Sequence, residues 1–315
     1  MHPQLASLAA RHGGTFSRED ALAAGYTAAE IRSRLESGAW LRLRRGRYVS
    51  AELAETTTDP LARYRLDCWA ALAVLDSAVA VSHRSAALLH GLDLHPTSRQ
   101  RALALVELIL PAGHSRRRPG VLGHDLPLVA AEVTHVDRLP VTSEARTGVD
   151  VAAVESLANA TIALDSLLRR WAADGVERQE AHLRLTTAAD RWPRKHHRRI
   201  HRAIEFADGR AESPGESLSR VLLAGQGLPP PDLQYIVAGY RSDFAWPGAR
   251  TLGEFDGRMK YTEPGVLWAE KLREDALRAA GWEVARWTWD QITTNPAAVA
   301  QRLFAAFRRG SRHAG

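Results

Sequence analysis

The stretch Arg241-Ser-Asp-Phe-Ala-Trp-Pro-Gly-Ala-Arg-Thr-Leu-Gly-Glu-Phe-Asp256 alternates polar and apolar residues on either side of a Pro-Gly turn signal. That period predicts two half-buried strands joined as a hairpin. With Gly248-Ala249 as a two-residue loop, Asp243 faces Glu254 and Arg241 faces Asp256 on the same side of the sheet. Two carboxylates directly opposite repel each other. Either they share a hard divalent cation such as Mg²⁺, which takes oxygen ligands, or both point into water from an edge hairpin. Arg241 and Asp256 can form a plain salt bridge. A slip of one residue would move every side chain to the other face and undo the arrangement.

Outward from this hairpin the elements alternate. A helix opens at Ser213-Pro214, with proline in the first turn. It carries Glu216, Leu218, Val221 and Leu222 before Gly225 and Gly227. A stiff Leu228-Pro-Pro-Pro-Asp232 connection leads to a strand over Leu233–Val237. After the hairpin come a helix from about Leu267 to Ala279, stopped by Gly281, and a last strand over Trp282–Trp287. Glu216 lies on a helix that can pack across the acidic strands.

Glu212-Ser-Pro-Gly-Glu-Ser217, Gly227-Leu-Pro-Pro230, Arg241-Ser-Asp-Phe-Ala-Trp246, Gly253-Glu-Phe-Asp-Gly257, Lys271-Leu-Arg-Glu-Asp-Ala-Leu277 and Gly281-Trp-Glu-Val-Ala-Arg286 together resemble the very-short-patch-repair (Vsr-like) branch of the PD-(D/E)XK restriction-endonuclease-like superfamily. The resemblance runs from Ser213 to Asp290. It implies that Asp243 and Glu254 hold a metal, Mg²⁺ or Mn²⁺, and that Glu216 is the helix acid. Asp256 stands where the superfamily has its lysine. Two repairs fit the resemblance: Asp256 joins the metal site, as in this branch, or Lys260 or Lys271 supplies the positive charge from another element. The implied chemistry is metal-assisted hydrolysis of a DNA phosphodiester, the ion activating a water and steadying the transition-state charge.

The other end of the chain reads differently. Leu5, Leu8 and Ala9 mark a first short helix. Ser17 is a helix cap, and Thr27 with Glu30 is a capping box. The third helix carries Ile31 and Leu35 and closes at Gly38. Trp40 to Ser50 then alternates apolar and basic residues, with Gly46 at a hairpin turn. Helix, tight turn, helix, basic hairpin is the layout of a winged helix-turn-helix. Arg32 and Arg34 on the helix, with Arg42, Arg44, Arg45 and Arg47 on the hairpin, are candidate phosphate contacts. A small protein-interaction module with a solvated basic edge is the alternative.

Residues 51–190 read as a mixed α/β region, with helices near 60–75, 81–91, 143–171 and 174–188 and a buried strand over Leu103–Leu110. His83 and His90 fit core or capping positions. Residues 191–212 form a basic linker or helix, in which Arg194, Lys195, Arg198 and Arg199 are candidate DNA contacts. His197 and His201 stand four apart, as metal ligands on a helix do, but no third ligand of matching spacing is visible. The winged helix over residues 1–50, Gly46-Arg-Tyr-Val49, Ser82-His83 with Ala86 through Leu92, and Leu139-Pro-Val-Thr142 with Ala145-Arg146-Thr147 resemble abortive-infection, type IV antitoxin (AbiEi-like) proteins. That resemblance implies DNA binding, repression of the protein's own operon, and a nucleotidyltransferase toxin encoded nearby.

The fold expected is thus mixed α/β: a winged helix-turn-helix, an α/β middle region, and an endonuclease-like α/β domain over 213–315. Composition agrees with a folded chain: 315 residues, 45% hydrophobic, 25% charged. One cysteine, Cys68, excludes a disulfide scaffold. No run of 18 apolar residues marks a membrane span, and no leader pattern opens the chain, so a cytoplasmic location is expected. The net charge of +6 is unevenly spread. Residues 1–50 carry +4, 51–190 carry −4, 191–202 carry +6, and the rest are balanced. Double-stranded DNA is the expected partner. Two readings stand: a metal-dependent DNA endonuclease, or an AbiEi-like repressor or antitoxin whose nuclease-like domain is inactive.

Overall fold

By internal packing the chain divides into two units, Met1–Val154 with His182–His201, and Glu155–Ala181 with Arg202–Gly315. The computed structural model describes residues 1–73, 79–110, 117–257 and 264–313, with the side chains of 117, 264–271 and 313 outside that description.

The first unit starts with α1 (Pro3–Ala10), β1 (Phe16–Ser17), α2 (Arg18–Ala23), α3 (Ala28–Glu36), β2 (Trp40–Arg44) and β3 (Arg47–Ser50). Ser17 and Thr27 cap α2 and α3. Each is matched by an acid three residues on, Asp20 or Glu30, whose carboxylate accepts the cap residue's own N–H. These boxes satisfy donors that a helix start leaves open. The sheet order is β1-β3-β2. Leu5, Phe16, Ile31, Trp40 and Tyr48 fill the core, with Phe16 edge-on to Trp40 at 4.8 Å. This is the expected winged helix-turn-helix. The two-residue β1 was not expected; Phe16 pairs with Tyr48 there.

Next come α4 (Ala51–Thr56), α5 (Pro60–Leu72), β4 (Ala80–Val81), α6 (His83–Leu89), α7 (Pro96–Ala104), β5 (Val106–Leu110), β6 (Arg117–Arg118), β7 (Val121–Asp125), β8 (Val133–Val136), β9 (Leu139–Thr142) and α8 (Glu144–Val154). The sheet order is β6-β7-β5-β4-β9-β8. β5 is buried throughout, as its apolar run predicts. The single helix expected over 143–171 is instead two, α8 and α9 (Leu157–Ala173). Ser156 leaves the helical conformation and accepts the Asn159 N–H at 3.2 Å, which starts α9 afresh. α9 belongs to the second unit, where Asp165 takes the Arg220 guanidinium at 3.0 Å and the Asp208 N–H at 2.7 Å. α10 (Arg178–Asp190) and α11 (His197–Phe206) each run across a boundary between units.

The second unit continues with α12 (Pro214–Gly225), β10 (Asp232–Val237), β11 (Tyr240–Trp246), β12 (Thr251–Asp256), α13 (Pro264–Ala279), β13 (Glu283–Thr288), α14 (Trp289–Thr294) and α15 (Pro296–Gly310). The sheet order is β10-β11-β12-β13, antiparallel except that β12 and β13 run parallel. Phe244, Trp246, Trp287, Leu218 and Leu303 are buried together, and Trp287 donates its indole N–H to Ser219 at 2.8 Å. β12 carries Gly253 where a Cβ would lie 2.7 Å from the Trp287 ring. The expected hairpin register holds, with Phe244 opposite Gly253 and Trp246 opposite Thr251. The loop does not match the two-residue expectation. A 3₁₀ turn over Pro247–Ala249 is followed by Arg250 in the left-handed region at φ 45°.

Candidate functional site

On the winged helix, Arg32 of α3 and Arg42 and Arg45 of the hairpin are exposed. The other three candidate arginines are held by the fold. Arg34 lies over the Tyr26 and Trp40 rings at 5.2 and 5.5 Å. Arg44 donates to the Pro119 and Gly120 carbonyls at 3.0 and 3.2 Å, tying the wing to the turn before β7. Arg47 stands 3.7 Å from Asp20. Helix α3 and the hairpin therefore leave three guanidiniums exposed, while three more are held by the fold.

The basic run forms a 3₁₀ turn, Arg194–His196, leading into α11. Arg194, Lys195, Arg198 and Arg199 are all exposed. Trp192 anchors the turn. It is buried, and its indole N–H reaches Asp150 at 2.9 Å. Asp150 also takes Arg146 Nε at 2.7 Å, and Arg146 reaches Glu132 and the Pro127 carbonyl, each at 2.9 Å. Burial pushes the Asp150 carboxyl up, and Arg146 opposes this. Nearby, His83 is fully buried in the left-handed region at φ 52°, its ring stacked on His124 at 3.6 Å. Desolvation, then the charge of His124, holds His83 well below the ordinary histidine range, so it is neutral. His90 ends α6 and bonds the Thr142 carbonyl at 2.8 Å. Both histidines are core and capping groups, as expected. Sequence reasoning missed this buried network because Glu107, Glu132, Asp150 and Trp192 come from elements far apart in the chain. The one available signal was Arg146 with Asp150 four residues on, a charge pair one helical turn apart.

In the second unit the acidic residues fall into two environments. The β11–β12 ladder ends at Phe244 and Gly253. Beyond it, the Asp243 carboxylate takes the Phe255 N–H at 2.8 Å. Glu216, in the first turn of α12, is buried. It accepts from Ser213 Oγ at 2.7 Å, the Glu212 N–H at 2.9 Å and Gln234 at 2.9 Å, so one of its roles is to cap α12. Burial first, and the Glu216 charge second, push the Asp243 carboxyl up to about 6. Glu254 is met by cations: Arg273 at 2.5 Å and Arg286 at 3.2 Å, with Ser242 Oγ at 3.2 Å. Arg241 pairs with Glu212 at 2.8 Å. The Arg241–Asp256 bridge expected from the register is therefore replaced, because the strands have parted before that position. Asp256 ends β12 opposite Thr288 of β13. Lys260 lies outside the described residues. Lys271 sits on α13, and its side chain lies outside them too.

A hard cation fits the Glu216–Asp243 pair, one buried and one half-buried carboxylate of like charge. Glu254 fits less well, since two guanidiniums already balance it. Among the described residues, the acids and histidines with three ligand atoms within 4.8 Å are His83, Glu107 and His124, and Asp190, His197 and His201. No described helix is long and apolar enough to cross a membrane.

Two stretches within the first two thirds of the chain match known families. Residues 3–51 match the family described as "Transcriptional regulator, AbiEi antitoxin". Residues 78–205 match the "AbiEi antitoxin C-terminal domain". Two uncharacterized proteins, from two strains of Mycobacterium tuberculosis, are each 29% identical over 224 residues, 70% of this chain and 78% of theirs. These two stretches are thus similar to AbiEi antitoxin domains, with the winged helix in the first match and the buried Arg146–Asp150–Trp192 network in the second.

Proposed function

We propose that this protein is a DNA-binding transcriptional regulator of the AbiEi antitoxin kind, repressing its own promoter and countering a nucleotidyltransferase toxin encoded nearby. One observation carries the reading: Arg32 on the recognition helix and Arg42 and Arg45 on the wing stand exposed in a segment that matches the AbiEi regulator family. Arg194, Lys195, Arg198 and Arg199 add four exposed cations to the first unit. The test is gel-shift or fluorescence-anisotropy binding of the protein's own promoter DNA between 50 and 200 mM salt, on the order used for such slopes. The R32A/R42A/R45A variant should bind more weakly and lose roughly 2–3 from the slope of log affinity against log salt. Unchanged affinity and slope in the variant would remove the winged helix from DNA binding.

A second reading rests on Asp243, whose carboxyl is raised by burial and by Glu216. Mg²⁺ or Mn²⁺ held by these two groups would relieve the repulsion and support phosphodiester hydrolysis by a metal-activated water. Nicking of supercoiled DNA with either ion, lost in D243A, is the expected result on this reading. Nicking that persists in D243A would assign it elsewhere.

A further inference from the structure

Asp190 ends α10, and His197 and His201 stand one turn apart on α11. A carboxylate oxygen and one nitrogen from each ring lie within 4.8 Å of one another. The histidine spacing was legible in the sequence and lacked a third ligand. The turn through Trp192 supplies it by returning the end of α10 to the start of α11.

The distances favour a metal over a hydrogen bond. His201 Nε2 lies 3.6 Å from Asp190 Oδ1, longer than the roughly 3.2 Å limit for N–H···O contacts. Two ligands of a tetrahedral ion bound at about 2.0–2.2 Å are about 3.3–3.5 Å apart, which matches. His197 Nε2 lies 2.6 Å from the Trp192 carbonyl. A carbonyl only accepts, so Nε2 carries the proton and the lone pair is on Nδ1. A ring nitrogen bonded to a backbone carbonyl is the usual outer-shell device that fixes a ligating histidine. The two rings are 5.9 Å apart and inclined at 69°, not stacked, so their lone pairs can converge. Trp192, whose carbonyl orients His197, is itself pinned by Asp150. The frame is therefore rigid before any ion arrives.

We propose that Asp190, His197 and His201 bind one divalent transition-metal ion of the zinc class, with water in the fourth position. Two imidazoles and one carboxylate suit Zn²⁺, Co²⁺ or Ni²⁺ rather than Mg²⁺ or Ca²⁺. The ion would clip α10 to α11 and fix the turn that carries Arg194 and Lys195. This stands whether or not the protein is a regulator.

The test is titration of the chelator-stripped full-length protein with Co²⁺, read by visible absorption, with Zn²⁺ or Mg²⁺ then added. One equivalent of Co²⁺ should give the bands of a tetrahedral site. Zn²⁺ should abolish them and Mg²⁺ should not. H201A and D190N, at side chains 35% and 70% exposed, should fold normally by far-ultraviolet circular dichroism and bind Co²⁺ at least about tenfold more weakly. H124A should bind as the wild type does. Absence of a one-equivalent transition in the wild type, or unchanged bands in H201A and D190N, would overturn the proposal. Bands lost only in H124A would also overturn it, placing the ion against Glu107.

Discussion

Asp243→Asn removes one of two neighbouring like charges and keeps an oxygen to accept the Phe255 N–H. The native carboxyl is raised from 3.8 to about 6, first by burial and then by Glu216. A shift of about two units corresponds to roughly 3 kcal/mol against the ionised form. Asp243 is only partly buried, so solvent screening reduces this to about 1–2 kcal/mol. Because the folded value lies above the unfolded one, the folded state binds more protons between about pH 4 and 6. This group's share of stability is therefore complete below about pH 4 and is lost as the pH rises through 6. D243N should match the wild type near pH 4 and exceed it at pH 7.5. For a unit of this size that is a gain of about 4 °C per kcal/mol in melting temperature. The assay is thermal unfolding followed by tryptophan fluorescence, since Trp246 and Trp287 lie in the core of this unit. Mg²⁺ at ten times its Kd should add about 1.4 kcal/mol to the wild type at pH 7.5 and much less to D243N. A variant less stable than the wild type at pH 7.5, or a gap that does not change with pH, would refute the account of Asp243.

Other changes separate structural from functional charges. R42A should lower the salt slope of DNA binding by about 0.9, while R44A, which breaks the wing from the Pro119–Gly120 turn, should lower the melting temperature. W192F deprives buried Asp150 of its indole donor and should cost about 1–3 kcal/mol in urea unfolding. G215A places a Cβ 2.0 Å from the Phe255 ring. It should destabilise the second unit by about 1–3 kcal/mol and shrink the Mg²⁺-dependent stabilisation, because Phe255 holds Asp243 through its N–H. R273M takes away one of the cations on Glu254 and should strengthen Mg²⁺ binding measured by calorimetry; an unchanged affinity would mean that Glu254 is no latent ligand.

The winged helix was legible because its boundaries are written in local chemistry. Ser17 with Asp20, and Thr27 with Glu30, form the boxes the spacing predicts. The 241–256 register was legible for another reason. The Pro247-Gly248 turn signal fixes the point about which the strands pair, and it puts Phe244 and Leu252 on opposite, separately packed faces of the sheet. The loop could be misread without cost to the register, because nothing in Arg250 announces a left-handed backbone. What remained hidden depended on distance along the chain. Six arginines look alike on the winged helix until Tyr26, Trp40, Gly120 and Asp20 are placed beside three of them. Asp190 is one more helix-end acid until the Trp192 turn brings it to His201.

Asp243 and Glu254, which stand just past the end of the β11–β12 ladder, have met their charge in opposite ways, and this bears on which function comes first. Asp243 sits beside another carboxylate and gains from any cation that arrives. Glu254 already has Arg273 and Arg286. Drawing a buried carboxylate away from its cations costs on the order of 3–5 kcal/mol when one partner is lost. A single ion bound to all of Glu216, Asp243 and Glu254 would have to recover that cost from its own coordination. An ion bound to Glu216 and Asp243 alone incurs no such cost. On the metal-binding reading proposed above, the resting arrangement supports a cation on Glu216 and Asp243, with the guanidiniums of Arg273 and Arg286 kept as fixed positive charges around Glu254. Such a site does not require cleavage, and the regulator reading does not depend on it.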